Sequence, residues 1–217
     1  MLEIADVSKS YGSLHVLTDV SLRIDDGEFV SIVGPSGAGK TTLLNIIGSL
    51  ERPDSGRILF DSTDIVGLSD RKLAEFRNRR LGFVFQFHQL LPEFTLAENV
   101  ALPAMIAGKS RRAAMARASE LLGSLGLSER LDHRPDQVSG GERQRAAVAR
   151  ALVNDPACIL ADEPSGSLDS HNREELYALF SSLREQTGKT LIVVTHDESL
   201  AGVSDRIIRM RDGRIVC

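Results

Sequence analysis

Residues 34–41 combine glycines, a lysine and a threonine at the spacing of a phosphate-binding loop. They read Gly34-Pro35-Ser36-Gly37-Ala38-Gly39-Lys40-Thr41 and are followed by Thr42. Glycines let successive backbone N–H groups turn inward around an anion, and the N-terminus of a following helix adds partial positive charge. The Lys40 ammonium can supply a full charge for the β- and γ-phosphates, and the Thr41 hydroxyl can bind Mg²⁺. The spacing therefore predicts a nucleotide phosphate site rather than a plain Gly-rich turn.

Two carboxylates end an apolar stretch later in the chain. Residues 158–161 are apolar and lead directly into Asp162 and Glu163. Asp162 can hold Mg²⁺ directly or through water, and Glu163 can orient and deprotonate an attacking water. A solvated strand end would explain both acids if they stood alone. Beside a phosphate loop, the catalytic interpretation is favoured.

Two further polar residues follow apolar stretches. Gln86 comes directly after 81–85, and His196 comes directly after 191–195. Ligands of open α/β sheets collect at the carboxyl ends of the strands. We therefore expect four side chains to converge at this edge: Lys40, Gln86, Glu163 and His196. We also expect His196 to contact the γ-phosphate or the attacking water.

The elements that must position these groups alternate between short strands and longer helices. Nearly continuous apolar runs, typical of parallel strands buried on both faces, cover 28–33, 157–161 and 191–194. Alternating patterns, typical of antiparallel strands, cover 2–7, 16–24 and 206–210. Residues 211–214 predict a hairpin turn, and 94–152 are mostly helical in pattern. One α/β core with a helical insertion is the economical interpretation.

Composition limits the classes of function. The chain has 217 residues, 26 basic and 30 acidic side chains, and a formal net charge of −4. Because it has no dense basic tract, nucleic-acid binding by phosphate neutralisation is disfavoured. The apolar runs are far shorter than the roughly 20 residues that a bilayer needs, and 1–4 lack the features of a signal peptide. Cys158 and Cys217 match no metal or redox spacing, so we expect a soluble cytosolic domain with Cys158 as a small buried hydrophobe.

Residues 138–145 complete a recognisable pattern. They read Val138-Ser139-Gly140-Gly141-Glu142-Arg143-Gln144-Arg145 and precede an apolar stretch at 146–153. This resembles the signature motif and helix of ATP-binding cassette (ABC) ATPases. The resemblance covers essentially the whole chain in the family's order: Tyr11, the phosphate loop, Gln86, the signature, Asp162 and Glu163, 167–169, and His196.

The resemblance implies a fold and a domain organisation. The fold class is α/β, with a P-loop NTPase (RecA-like) core, an antiparallel β portion and an inserted helical subdomain. A single ABC ATP-binding domain would span 1–217. Its core would cover about 1–86 and 157–217, and its helical subdomain about 87–156.

The resemblance also implies roles for site residues. Tyr11 would stack on adenine, although its ring could instead simply pack against its neighbours. Gln86 would sense Mg²⁺ and a membrane partner, and Glu163 would be the general base. The nucleotide site also includes Asp169 and, from a second copy of the chain, Ser139, Gly140, Gly141 and Glu142. Ser139 and Glu142 equally fit a capping box at the start of a helix, and the two interpretations are compatible. The family has Gln most often at 142, so Glu142 places an additional negative charge near the nucleotide.

A narrower resemblance rests on residues 85–95 and 132–135. They read Phe-Gln-Phe-His-Gln-Leu-Leu-Pro-Glu-Phe-Thr and Asp-His-Arg-Pro. Both are similar to the branch of the family that serves lipoprotein release, macrolide efflux and cell division. Phe83 and Phe85 alternate on a strand, so we predict that both belong to the hydrophobic core. The apolar side chains after Gln86 could instead line a groove for a helix of a membrane subunit: Phe87, Leu90, Leu91 and Phe94.

This branch implies a complete assembly. Its cofactors are ATP and Mg²⁺, and its partners are a second copy of the chain, joined on ATP, and integral membrane subunits. The implied activity is ATP-driven release of lipoproteins, carried out at the cytoplasmic face of the bacterial inner membrane. ATPases of macrolide efflux or cell division are the alternatives. A soluble ABC ATPase of DNA repair or translation is disfavoured by the single cassette and the negative charge.

Overall fold

The computed structural model describes residues 1–197 and 201–216. Two compact units make up the chain: unit 1 comprises Met1–Arg77 and Leu179–Cys217, and unit 2 comprises Asn78–Ala178. These bounds differ from the predicted limits of the helical subdomain, 87–156, which stay a prediction. Among the described residues, no helix combines the length and the apolar character needed to span a bilayer.

The strands and helices follow one another in this order: β1 (Leu2–Tyr11), β2 (Leu14–Ile24), β3 (Phe29–Val33), α1 (Lys40–Ile47), β4 (Ser55–Phe60), β5 (Thr63–Asp64), α2 (Asp70–Arg80), β6 (Leu81–Phe85), α3 (Leu96–Ile106), α4 (Arg111–Ser124), α5 (Gly140–Leu152), β7 (Cys158–Asp162), α6 (Ser170–Thr187), β8 (Thr190–Thr195), β9 (Arg206–Arg211) and β10 (Arg214–Val216). Two short 3₁₀ turns, Ser128–Arg130 and Pro135–Gln137, precede α5.

Unit 1 contains an antiparallel sheet in the order β2-β1-β4-β5. β1 pairs with β2 from Leu2↔Ile24 to Tyr11↔Leu14, and with β4 from Leu2↔Phe60. The predicted alternation over 2–7 and 16–24 is confirmed, since one face of these strands is buried and the other is solvated.

A second sheet supplies the parallel strands of unit 1. β3 lies between β8 and β9 and is parallel to both. Every residue of β8 is buried, which explains its continuous apolar run. The register pairs Val33 with Thr195, so the chain leaves both strands at the same level of the sheet.

The prediction for residues 206–210 is half wrong. β9 is antiparallel to β10, as expected, but it is parallel to β3. Its alternation arises because only one face is buried, with Ile208 and Met210 inside, and not because both neighbours are antiparallel. The hairpin is confirmed: Asp212 and Gly213 both have positive φ, 48° and 73°, which suits a two-residue type I′ turn.

Unit 2 combines a parallel strand pair with a helical bundle. β6 and β7 pair in parallel from Leu81↔Cys158 to Phe85↔Asp162. The predicted helical region holds α3, α4 and α5, each started by a hydroxyl cap: Thr95, Ser110 and Ser139. Alanines and aliphatic side chains of these helices form the core of the unit. Cys158 is buried as predicted, and burial raises the pKa of its thiol to about 12.

Candidate functional site

The predicted phosphate loop connects β3 to α1 in unit 1. Gly37 and Gly39 have φ values of 81° and 93°, a left-handed conformation that side chains disfavour. α1 begins at Lys40 without a side-chain cap hydrogen bond at Gly39 and without an acidic residue in its first turn. The loop thus ends at a helix N-terminus whose partial positive charge is suited to an anion.

The Lys40 side chain folds back over the loop. Its ammonium donates hydrogen bonds to the carbonyl oxygens of Gly34 and Pro35, at 2.8 and 3.1 Å, and the side chain is buried. These two bonds hold the ammonium against the carbonyl oxygens at the start of the loop. Thr41 follows in the first turn of α1 and is exposed, and Thr42 is half-buried.

Two glycines of the loop, Gly34 and Gly39, are required by close packing, and Gly39 also has a positive φ. A Cβ at Gly34 would lie 2.2 Å from the carbonyl oxygen of Met210, in β9. A Cβ at Gly39 would lie 2.7 Å from the carbonyl oxygen of Val16, in β2. Both contacts are far shorter than a carbon atom tolerates, so the two sheets of unit 1 fix the position of the loop.

His196 leaves β8 beside the start of the loop. Because Val33 pairs with Thr195, Gly34 and His196 are the next residues along two parallel neighbours. Both line one cavity of about 640 Å³, to which Pro35 and Arg209 also contribute. Within unit 1, His196 therefore lies beside the start of the phosphate loop. Its convergence with Lys40, Gln86 and Glu163 stays a prediction.

Tyr11 lies at the end of β1 and is 48% exposed. Its hydroxyl donates to Glu51 Oε2 at 2.6 Å and hydrogen-bonds with Thr42. The bond to Glu51 raises the pKa of the phenol, because the phenol can donate this hydrogen bond only while it is protonated. The Lys9 ammonium lies 5.5 Å from the ring centroid. An exposed ring next to α1 can stack on a base, and its role with adenine stays a prediction.

Unit 2 carries the predicted acids and Gln86. The β6–β7 register pairs Phe85 with Asp162, so Gln86 and Glu163 follow at the same edge of the strand pair. Glu163 has a φ of 45°, which is uncommon outside glycine. Its carbonyl oxygen accepts a hydrogen bond from the Gly166 N–H at 3.0 Å, closing a tight turn.

The segment after Glu163 contacts Gln86 directly. The Ser167 hydroxyl donates to the carbonyl oxygen of Gln86 at 3.0 Å. A Cβ at Gly166 would lie 2.7 Å from Gln86 Nε2. Gly166 is therefore needed for the close approach of these two segments, and it fixes the Gln86 side chain at the strand edge.

Asp169 serves as the cap of α6. Its Oδ1 accepts from the Asn172 N–H at 2.9 Å, and its carboxylate also accepts from the Asn172 side chain. The backbone hydrogen bond from Asn172 lowers the pKa of Asp169. Asn172 in turn lies against the signature motif, since a Cβ at Gly141 would stand 1.9 Å from its Oδ1. Sequence reasoning missed Asn172, although its spacing from Asp169 is that of a helix cap.

The signature motif forms the N-terminus of α5. Ser139 Oγ accepts from the Glu142 N–H at 3.2 Å, and Glu142 Oε2 accepts from the Ser139 N–H at 2.7 Å. The predicted capping box is confirmed. Ser139 is exposed, so the start of α5 is open to an anion.

Two arginines that sequence reasoning missed support this region. Arg130 Nε donates to Glu142 Oε1 at 2.9 Å. Arg150, near the end of α5, donates to the carbonyl oxygens of His88 and Gln89, both of which have positive φ. No helical or strand spacing links either arginine to its partners, so the sequence offered no signal for them.

The predicted nucleotide-site residues are thus divided between the units, and each unit presents its own set at strand ends and helix N-termini. Comparison with known proteins shows which family has this combination of site residues. The ABC transporter family model matches residues 17–166. The lipoprotein-releasing system ATP-binding protein LolD of Porphyromonas gingivalis is 62% identical over 213 residues, which are 98% of this chain and 97% of the relative. LolD of Bacteroides fragilis is 58% identical over the full length of both chains.

Solved structures agree with this comparison. The ATP-binding cassette MJ0796, as a dimer in a post-hydrolysis state with ADP and Pi, aligns with a TM-score of 0.92 at 42% identity. The alignment covers 100% of this chain and 97% of that one. The fold and the site therefore define a P-loop ATPase with the mixed α/β cassette fold and an antiparallel β portion. The chain belongs to the ABC transporter family, as an ATP-binding subunit that hydrolyses ATP.

Proposed function

We propose that this chain is the ATPase subunit of a lipoprotein-releasing transporter, bound peripherally at the cytoplasmic face of the bacterial inner membrane. The observation that carries the proposal is the 62% identity over 98% of the chain to a relative named for that system. The membrane-spanning part of such a transporter would be supplied by separate integral membrane subunits. The whole of 1–217 would act as one ATP-binding domain.

Proposed nucleotide contacts follow from the geometry within each unit. The backbone of 34–39, Lys40, Thr41 and Thr42 would hold the phosphates, and Tyr11 would stack on adenine. Contacts to the γ-phosphate would come from His196, with its position fixed by the β3–β8 register. Asp169 would contribute through the turn that it caps.

The donor set fits Mg²⁺. Thr41, Gln86 and Asp162 offer hydroxyl, amide and carboxylate oxygens, the hard ligands that this ion prefers. Among the described residues, no group of three or more His, Cys, Asp or Glu side chains could hold a metal ion alone. When bound, Mg²⁺ neutralises charge on the β- and γ-phosphates.

Glu163 is the proposed general base. It follows the Asp162 position by one residue, and the turn to Gly166 fixes its backbone. From this position the carboxylate would accept a proton from the water that attacks the γ-phosphate. Gln86, bound to Ser167 through its carbonyl oxygen, would orient that water and report on the occupied site.

A second copy would complete each site. In a head-to-tail dimer, the exposed N-terminus of α5 in one copy would meet the γ-phosphate held by the other. Ser139 and the backbone N–H groups of Gly140 and Gly141 would make the contacts, and Glu142 would hold this N-terminus as part of its capping box. The similar cassette MJ0796 has been solved as a dimer, which supports a dimer of this chain. Closure would exclude water and complete the shell around the phosphate.

Exposed apolar side chains after Gln86 support a membrane partner. Phe87 is 75% exposed, and Leu91 and Phe94 are each 39% exposed. Phe83 and Phe85, by contrast, are half-buried and stack on each other with ring centroids 5.8 Å apart. An apolar surface of this kind fits a helix of an integral membrane subunit.

Reconstitution tests the proposal. The chain would be purified with the membrane proteins encoded beside it and placed in proteoliposomes that carry a triacylated lipoprotein. We expect ATP to transfer the lipoprotein to the soluble fraction, and we expect Glu163→Gln to stop this transfer while the complex stays assembled.

Other outcomes identify the alternatives. ATPase activity that rises with a macrolide and not with lipoprotein would replace lipoprotein release by drug efflux. A complex that forms but transfers neither compound would favour the cell-division branch. A chain that joins no membrane protein would overturn the proposed role in transport.

A further inference from the structure

The Glu142 carboxylate is shared between two donors at the start of α5. Oε2 accepts from the Ser139 N–H at 2.7 Å, and Oε1 accepts from Arg130 Nε at 2.9 Å. Arg130 ends the 3₁₀ turn Ser128–Arg130, so the ion pair connects that turn to the signature motif. The Glu142 side chain is 20% exposed and that of Arg130 is 42% exposed.

Glu142 is charged at neutral pH. The hydrogen bond from the Ser139 backbone and the Arg130 guanidinium lower its pKa to about 2. A full negative charge thus stands in the first turn of a helix whose free end is open to an anion. The neighbouring Arg143 does not balance it through a hydrogen bond, because its guanidinium donates to the carbonyl oxygens of Pro135 and Val138.

We propose that Arg130 is a positioning residue of the shared nucleotide site: it neutralises Glu142 and holds that carboxylate on the Ser139 N–H, so that the signature motif can receive the γ-phosphate bound by a second copy. This inference rests on the proposed head-to-tail dimer. Arg130 acts through Glu142 and not by touching the nucleotide.

The proposal predicts the direction in which three substitutions change the affinity of the signature motif for the phosphate. Loss of Arg130 leaves an unbalanced carboxylate where a phosphate must dock, so binding weakens. Loss of the Glu142 charge leaves an unbalanced guanidinium, so binding strengthens. Loss of both charges restores the balance. A unit charge within about 10 Å of a phosphate at an interface changes affinity on the order of threefold to tenfold.

The experiment measures ATP-dependent dimerisation in the Glu163→Gln background, which we expect to bind ATP and to hydrolyse it slowly. Sedimentation at increasing ATP concentration gives the midpoint of dimer formation. We expect Arg130→Met to raise this midpoint about three- to tenfold and Glu142→Gln to lower it by a similar factor. The glutamine keeps an oxygen for the Ser139 N–H, so the cap is preserved. The double variant should lie within about twofold of its parent, and Arg130→Lys should lie close to it as well.

A matched ion pair serves as the control. Arg117 and Glu120 form an exposed pair on α4 with a separation of 2.9 Å. Arg117→Met, Glu120→Gln and their double variant should leave the midpoint within about twofold of the parent. With Glu163 intact, Arg130→Met should raise the ATP concentration for half-maximal hydrolysis more than it lowers the rate at saturating ATP.

The possible outcomes distinguish a failure of the positioning role of Arg130 from a failure of the proposed head-to-tail dimer. If the Glu163→Gln parent forms no dimer with ATP, the shared site is overturned, and this inference with it. If the parent dimerises and Arg130→Met matches it, the positioning role alone is overturned. The same holds if the double variant is as weak as Arg130→Met, because a purely structural role of Arg130 gives no rescue.

Discussion

Single residues at the site carry constraints that are visible in the backbone. Glu163 has a φ of 45°, although a side chain in the left-handed region costs roughly 1–2 kcal/mol. The turn from Glu163 to Gly166 holds this conformation. Backbone conformations of this kind cluster at active sites, where the surrounding structure holds them in place. The backbone of the chain therefore fixes the position of the proposed general base, and this position does not depend on a bound nucleotide.

Replacement of this carboxylate should separate binding from hydrolysis. We expect Glu163→Gln to lower the rate of phosphate release by about 10²- to 10⁴-fold, because the amide cannot accept the proton from water. ATP affinity should stay within about threefold, since the phosphate loop is intact. Phosphate release and equilibrium ATP binding measure the two effects. Glu174→Gln, an exposed acid on α6, is the control, and hydrolysis by Glu163→Gln at the wild-type rate would remove the assignment.

The Glu142 cap should appear in the pH dependence of stability. The pKa of Glu142 is about 2 in the folded protein, against an ordinary value of 4.5. A lowered pKa gives stability that is present above pH 4.5 and is lost as the pH falls toward 2. With allowance for solvent screening, the contribution is about 1 kcal/mol.

Urea unfolding at pH 6 and pH 3 tests this contribution. The free energy of unfolding should fall by about 1 kcal/mol more in the wild type than in Glu142→Gln, whose cap has no titratable group. Equal losses in the two proteins would show that the capping carboxylate does not stabilise the fold through its charge.

Sequence spacing predicts residues that act locally. The capping box of Ser139 and Glu142 was predictable because both members lie within one helical turn. Arg130 was not, because it approaches Glu142 from a separate 3₁₀ turn and no periodicity relates the two. The contact of Asn172 with Gly141 is hidden for the same reason.

At the scale of elements, α5 connects two parts of the proposed site. Its first turn is the signature motif, and its last turn holds the segment after Gln86 through Arg150. His88 and Gln89 have φ values of 59° and 50°, so this segment turns sharply. Burial and the two nearby arginines, Arg143 and Arg150, lower the pKa of His88.

Loss of the two hydrogen bonds from Arg150 should increase the mobility of the segment after Gln86. We expect Arg150→Met to destabilise the protein by about 2–4 kcal/mol, because two carbonyl oxygens lose a charged donor. Amide hydrogen exchange should accelerate at 86–91 more than elsewhere in unit 2. Arg145→Met, on the same helix, removes only a pair with the exposed Glu175 and should cost less than about 1 kcal/mol. Equal effects of the two variants would contradict a specific role for Arg150.

Apolar patterns in the sequence predict where the strands lie and which faces are buried, but they do not predict the direction in which neighbouring strands pair. Continuous apolar runs identified β3, β7 and β8, because burial on both faces leaves a pattern in the chain itself. Alternation in β9 revealed one solvated face but not the direction of its neighbour β3, which depends on a strand more than 170 residues away. Pairing direction is a tertiary property.

At the scale of the whole molecule, the proposed dimer makes each site depend on two chains. A site would take Glu163 from one copy and Ser139 from the other, so two different inactive variants can complement each other. In a heterodimer of Glu163→Gln and Ser139→Arg, one site carries both substitutions and the other carries neither. Sites built within a single chain could not be rescued in this way.

Mixing the two variants therefore distinguishes the arrangements. Each variant alone should hydrolyse ATP at no more than about 1% of the wild-type rate. An equal mixture should recover up to about a quarter, because half of the dimers are mixed and each has one intact site. Differently tagged chains that copurify with ATP confirm that mixed dimers form. If they form and the activity stays at the sum of the two variants, the signature motif of one copy does not complete the site of the other.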